Sequence, residues 1–134
     1  MNQEQRQLLQ VAELAAQLAY APYSQFRVGA AVLTPGGTFQ GANIETASTN
    51  LGICAERAAI THARMNTQST ITGIAVSCPD ARKGENGTVD EYGSMPCGAC
   101  RQWIAELAPD AWIVVSSSDK VFHLDDLLPH AFKL

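Results

Sequence analysis

Two hydrophobic periodicities alternate along this chain of 134 residues, and their alternation limits the fold more than any single residue does. From Gln3 to Ala19, Leu8, Val11, Ala12, Ala15, Leu18 and Ala19 recur at three- and four-residue spacing, with Glu4, Arg6, Glu13 and Gln17 between them. That spacing predicts an amphipathic helix, ended by Ala21-Pro22, where proline restricts the preceding residue and cannot donate to the helical ladder. Phe26 to Leu33 and Thr38 to Ala42 read as strands joined by Thr34-Pro35-Gly36-Gly37, which supplies a preset φ and the positive φ of a tight turn. After a polar stretch from Asn43 to Gly52, an alanine-rich helix is expected over Cys54–Met65, a buried strand over Ile71–Ser77 and a polar loop over Cys78–Met95. A second internal helix, Cys97–Leu107, follows Pro96, a residue favoured near helix starts. Trp112–Ser116 is the next strand, Val121–His123 a short extended piece, and Leu124–Leu128 a last helical turn before Pro129. Strands separated by helices predict an α/β fold with helices on the faces of a sheet, and the opening hairpin makes that sheet mixed. No repeat or linker divides the chain, so one domain over 1–134 is expected.

Composition narrows the function. Nine basic against thirteen acidic residues leave a net charge of -4, and no Lys/Arg block offers a surface for nucleic acid phosphates. No run reaches the ~18 apolar residues of a membrane span, and the polar start Met1-Asn2-Gln3-Glu4 lacks the plan of a secretory signal, so a cytoplasmic location is expected. Charged residues make up only 16% of the chain, against about 25% in soluble domains. The chain is short of the groups that ordinarily cover a surface.

The chemistry gathers at cysteines. Pro96-Cys97-Gly98-Ala99-Cys100 puts two thiols on one side of the first turn of a helix, and Cys54-Ala55-Glu56-Arg57 opens another. A helix N-terminus carries about +0.5 of an elementary charge and lowers a thiol's pKa, priming thiolates. Three such sulfurs could take three corners of a zinc tetrahedron and leave the fourth for water, the plan of a catalytic site. Taken alone, the C-x-x-C pair is equally the redox motif of thioredoxin-like proteins, a buried Cys54 could be simple packing, and Glu56 could be a partner for the helix dipole. The conjunction favours zinc: a ligand two residues before a glutamate, then P-C-x-x-C, is the signature of zinc deaminases.

With these motifs the chain resembles the small cytidine deaminases over nearly its whole length. The resemblance extends to Ala21-Pro22-Tyr23-Ser24-Gln25-Phe26-Arg27-Val28-Gly29-Ala30-Ala31, Gly41-Ala42-Asn43-Ile44-Glu45 and Leu127-Leu128-Pro129-His130-Ala131-Phe132. It implies a three-layer α/β/α fold with a five-stranded mixed sheet, and one Zn2+ per subunit on Cys54, Cys97 and Cys100. It further implies that Glu56 moves protons between water, the pyrimidine and the leaving ammonia, and that Arg57 hydrogen-bonds the ligand sulfurs and offsets their charge. Asn43 and Glu45 match the pair facing the ribose hydroxyls, Phe26 the aromatic lining the base pocket, and the Ala55 backbone the group against the pyrimidine carbonyl. Phe132 matches the aromatic that closes a neighbouring subunit's pocket in a homotetramer. The implied partners are a pyrimidine nucleoside and further copies of the chain, with no nucleic acid or membrane. Self-association would also account for the shortage of charge.

Departures from the family pattern bear on substrate range. Thr49 stands where a tyrosine is usual, the Cys78–Met95 loop is long, and Met95 occupies a position where serine is common. A different cytosine-bearing compound, such as a modified or acylated cytidine or a nucleoside antibiotic, is therefore a second expectation, with a non-catalytic zinc or redox module a third. Cys78 is read as packing, His62 and His123 as surface or capping residues, and the Asn86-Gly87-Thr88 sequon is discounted in a chain without a signal peptide.

Overall fold

Helix α1 (Gln3–Ala16) begins at a reciprocal cap. The Asn2 side chain accepts from Gln5 N–H, and the Gln5 side chain accepts from Asn2 N–H, each at 2.9 Å, so two of the donors orphaned at a helix start are satisfied. The computed structural model describes residues 1–134. After α1 come β1 (Gly29–Thr34), β2 (Gly37–Ala42), a 3-10 turn at Thr49–Leu51, α2 (Ala55–Asn66), β3 (Gly73–Ser77), α3 (Gly98–Leu107), β4 (Trp112–Val115) and α4 (Leu124–Leu127). The sheet order is β2-β1-β3-β4, with β1 antiparallel to both neighbours and β4 parallel to β3.

Strand alternation sorts the core into two layers. Ala30 and Val32 of β1, Ile74 and Val76 of β3, and Ile113 and Val115 of β4 face one side, where Ala55, Ala59, Ile60 and Ala63 of α2 and Ile104 of α3 pack on them. Ala31, Ala75 and Val114 face the other side and meet Leu8 and Ala12 of α1. The three-layer mixed α/β/α arrangement is therefore present. Glycine lets both helices approach closely: a Cβ on Gly29 would lie 2.0 Å from Ala12 O in α1, and one on Gly41 would lie 2.3 Å from Ala59 N in α2.

Three expectations need correction. The sheet has four strands, not five. The expected fifth piece makes a single bridge, with Ile113 and Phe122 exchanging N–H···O bonds of 2.8 Å, because α4 begins at Leu124 and leaves no length for a ladder. Helix α1 ends at Ala16 rather than Ala19. Gln17, Leu18 and Ala19 donate three residues back, to Leu14, Ala15 and Ala16, and this tighter turn delivers Tyr20 to its bridge with Ile44. Strand β1 starts at Gly29 rather than Phe26, since part of the backbone of Phe26–Val28 is bonded by side chains.

The Cys78–Met95 loop carries its own short turn, bridged between Lys83 and Val89. Serines after β4 anchor its end: Ser117 Oγ donates to Glu91 O at 2.7 Å, and the Ser94 and Ser116 hydroxyls are 3.0 Å apart. At its start, Asp80 accepts from Arg27 N, Nε and Nη2 at 2.9, 2.8 and 2.9 Å.

Candidate active site

Helices α2 and α3 each open on a cysteine. Cys54 and Cys97 are the extended residues immediately before the first helical turn, and neither side chain bonds its own helix backbone. Both sulfurs are therefore free for another partner, and Cys100 lies one turn into α3, fully buried. Cys54 Sγ is 3.7 Å from Cys97 Sγ, which is 3.5 Å from Cys100 Sγ, and all three sulfurs lie within 4.8 Å of one another. A tetrahedral zinc with bonds of ~2.3 Å needs its sulfurs about 3.8 Å apart. The trio fits that ion without rearrangement, and the group is three sulfurs and no more.

The surrounding electrostatics favour thiolate at Cys54. The Cys54 thiol is pulled down to about 5, chiefly by the Cys100 S–H facing it and then, against desolvation, by the Arg57 guanidinium and Cys97. Cys100 moves up in turn, because its proton is the one shared with Cys54. Arg57 Nη2 donates to Cys54 Sγ at 3.4 Å, and the thiolate holds the guanidinium protonated. Arg57 Nε is buried without a partner, a cost of about 1–3 kcal/mol that this site carries. Glu56 sits in the first turn of α2 with 4% of its surface exposed, and burial pushes its carboxyl up, assisted by the Cys54 charge.

These groups lie on a cavity of 610 Å³. Its lining includes Phe26, Asn43, Glu45, Cys54, Ala55, Glu56, Arg57 and Cys97. The structure thus brings together residues from four stretches of chain that the sequence motifs singled out separately. Phe132 is not on this cavity: it is 69% exposed and its carbonyl accepts from Gln102 Nε2 at 3.0 Å. Asn43 Oδ1 accepts from Val28 N–H at 2.8 Å and its Nδ2 donates to Phe26 O at 2.9 Å, so its amide also holds the Phe26 wall. The Glu45 carboxylate accepts from the Tyr23 and Ser24 N–H groups and the Ser24 hydroxyl, and that hydroxyl first of all holds its pKa below the ordinary carboxylate value.

Other lining residues were not singled out as site residues from sequence. Ser24 is one, and no local pattern joins it to Glu45. Cys78 is another: it packs in the core, as its sequence setting suggests, yet also lines the cavity, and burial pushes its thiol up to about 11. Gly93 and Met95 bring the end of the long loop into the same wall, and Thr49 lines the cavity as an exposed residue. His62 stays outside it, paired with Gln40 O at 2.9 Å, and His123 opens α4, its N–H bonded to Asp126 at 2.8 Å.

A mixed sheet between helices, with cysteine sulfurs from two helix starts beside a buried carboxyl, defines an α/β protein with a metal-binding site of catalytic type. The chain belongs to the family of the cytidine and deoxycytidylate deaminase zinc-binding region, whose model matches residues 2–116. It is 37% identical to a cytidine deaminase of Halalkalibacterium halodurans over 96% of this chain and 94% of the relative. A probable cytidine deaminase of Dictyostelium discoideum is 36% identical over 98% of this chain and 92% of its own length. Among solved structures, the cytidine deaminase of Burkholderia pseudomallei superposes with a TM-score of 0.78 at 37% identity, covering 98% of this chain and 100% of the other. That of Mycobacterium tuberculosis gives 0.80 at 33% identity, covering 99% and 100%.

Proposed function

We propose that the protein is a zinc-dependent hydrolase that deaminates cytidine and 2'-deoxycytidine, with water, to uridine and 2'-deoxyuridine plus ammonia, a reaction of pyrimidine salvage. The observation that carries this reading is the three-sulfur cluster on the same cavity as buried Glu56. Cys54, Cys97 and Cys100 would hold the zinc. When bound, that ion supplies the Lewis acidity that brings water's pKa down toward about 7.

The chain's own groups do the rest. Glu56 takes a proton from the attacking water, delivers one to N3 of the pyrimidine and passes another to the amine leaving from C4, so one carboxyl serves as base and then acid. Arg57, bonded to Cys54 Sγ, favours that thiolate and would offset the charge of three thiolates against a dication. Phe26 packs the base, the Ala55 backbone faces its carbonyl, and Asn43 and Glu45 accept the sugar. Ammonia release from cytidine and 2'-deoxycytidine, measured with zinc content, tests the reading: one bound zinc with no release from either nucleoside would overturn it.

A second reading is favoured by Thr49, a small exposed residue on the cavity wall, which leaves room for a larger cytosine compound. Faster turnover of N4-acylated cytidine than of cytidine would select it. Exposed Leu14, Leu18, Tyr20, Leu51 and Phe132 support assembly as a homotetramer in which Phe132 closes a neighbour's cavity. Light scattering from an active monomer would remove that part of the reading. No helix is long and apolar enough to cross a membrane.

A further inference from the structure

The segment Tyr23–Val28 runs into β1 without regular strand pairing, and side chains take several of its backbone N–H groups. Tyr23 and Ser24 N–H donate to Glu45 Oε1 at 3.1 Å each. The Ser24 hydroxyl donates to Glu45 Oε2 at 2.5 Å, and its oxygen accepts from Phe26 N–H at 3.0 Å. Between them Gln25 sits at φ 55°, a left-handed conformation that a residue with a side chain keeps only where its surroundings hold it.

One small hydroxyl therefore bridges two walls of the cavity. On one side is the only carboxylate besides Glu56 that lines it, and on the other is the aromatic ring of Phe26. A carboxylate offers about four acceptor positions. Tyr23 and Ser24 fill three of them, both on Oε1 and one on Oε2, so a single position on Oε2 is left for an incoming hydroxyl. Its direction is set by the Ser24 bond to the same oxygen.

We propose that Ser24 is a positioning residue of the substrate cavity: its hydroxyl aims the free Glu45 acceptor at the sugar and, through Phe26 N–H, fixes the Phe26 ring against the base. This rests on the reading of the cavity as a nucleoside site. Ser24 itself is exposed and touches none of the reacting groups, so its effect falls on binding. It acts through Glu45 and Phe26 and leaves the zinc cysteines and Glu56 unaltered.

The test uses the zinc-loaded full chain and the variants S24A, S24T, E45A and S24A/E45A. S24A raises KM for cytidine about tenfold, the loss of one hydrogen bond to a charged group, with kcat within about twofold; S24T, which keeps the hydroxyl, restores KM to within about threefold of the parent. With Glu45 already removed, S24A raises KM by less than about threefold, because only the bond to Phe26 N–H is left to lose. Unchanged KM in S24A, equal increases in both backgrounds, or a loss confined to kcat or to the folded fraction would each overturn the proposal. Two readouts do not depend on turnover: in S24A the Glu45 carboxyl titrates at higher pH by carbon NMR, and the Phe26 amide exchanges faster with solvent. Absence of ammonia release by the parent chain overturns the nucleoside reading, while an unmoved Glu45 titration and unmoved Phe26 exchange overturn the role of Ser24 whatever the substrate.

Discussion

Replacing Gly41 by alanine should damage the metal centre without touching a ligand. Gly41 lies on β2 against the first turns of α2, and an added Cβ would stand 2.3 Å from Ala59 N and 2.7 Å from Ala55 O. To reach ordinary contact at 3.4 Å the helix must recede by about 1.1 Å. The alternative, retreat of β2, would break its ladder with β1 at the Gly41–Ala30 pair. Overpacking of this kind costs about 1–3 kcal/mol, a fall in Tm of roughly 3–12 °C at this chain length. Helix α2 carries Cys54 at its start, whereas Cys97 and Cys100 ride on α3. A metal site tolerates only about ±0.2 Å in its bonds, so a shift of an ångström pulls one sulfur out of register with the other two. Zinc affinity should fall about 10- to 100-fold, the range seen when ligand support is lost. The control is G29A, whose Cβ would strike Ala12 O at 2.0 Å on α1, a helix that supplies no sulfur. G29A should lose stability comparably while its affinity stays within about threefold. Urea unfolding gives the stability of each variant, and competition with a chromophoric chelator gives the affinity. Wild-type affinity in G41A, or equal losses in both variants, would refute the coupling of helix seating to metal geometry.

E56Q keeps the shape of a buried side chain but cannot shuttle protons, so zinc content and Tm should stay near the parent's while ammonia release falls by at least about 100-fold, the lower end of what a positioned acid–base group contributes; comparable turnover would exclude Glu56 as the proton carrier. Zinc at a hundredfold excess over its dissociation constant should stabilise the folded chain by about 2.7 kcal/mol, seen as a rise in Tm that chelation reverses and that C97S lacks; an equal rise in C97S would place the ion elsewhere. The Arg27 guanidinium and N–H hold the Asp80 carboxyl down to about 2, below its ordinary 3.8. A depressed carboxylate pKa contributes stability that is present in full above the ordinary value and is lost as pH falls toward the folded one. The urea-midpoint penalty of D80N should therefore be constant from pH 8 to about 5 and shrink from about pH 4 toward 2, whereas a penalty that ignores pH would mean that packing, not charge, holds the loop.

Much of the site could be read from short stretches because its ligands are tied to helix starts. Pro96 and the cysteines that follow identify an N-terminus, and an N-terminus dictates the thiol chemistry. The hairpin turn with β2, both internal helices and β3 fell close to their expected bounds, since each depends on a local periodicity or turn. The failures have one cause. Val121–His123 has the composition of a strand, but strand length is decided by where α4 begins in space, and only one bridge forms. Phe26–Val28 alternates like a strand, yet the Asn43 side chain accepts the Val28 N–H and donates to the Phe26 carbonyl, and such competition leaves no trace in hydropathy. Cys78 is apolar in its setting and buried, so nothing local distinguishes packing from lining.

By itself the sequence determined which residues could bind zinc, the alternation of helices and strands, and the family, because each of these is written in neighbouring residues and simple periods. Only the tertiary structure decided that Cys54 meets Cys97 across 43 positions, that Ser24 closes on Glu45 across 21, and that the sheet stops at four strands. Contacts at that separation depend on the path of the whole backbone and on glycines such as Gly29 and Gly41, whose missing side chains let helix and strand come within reach.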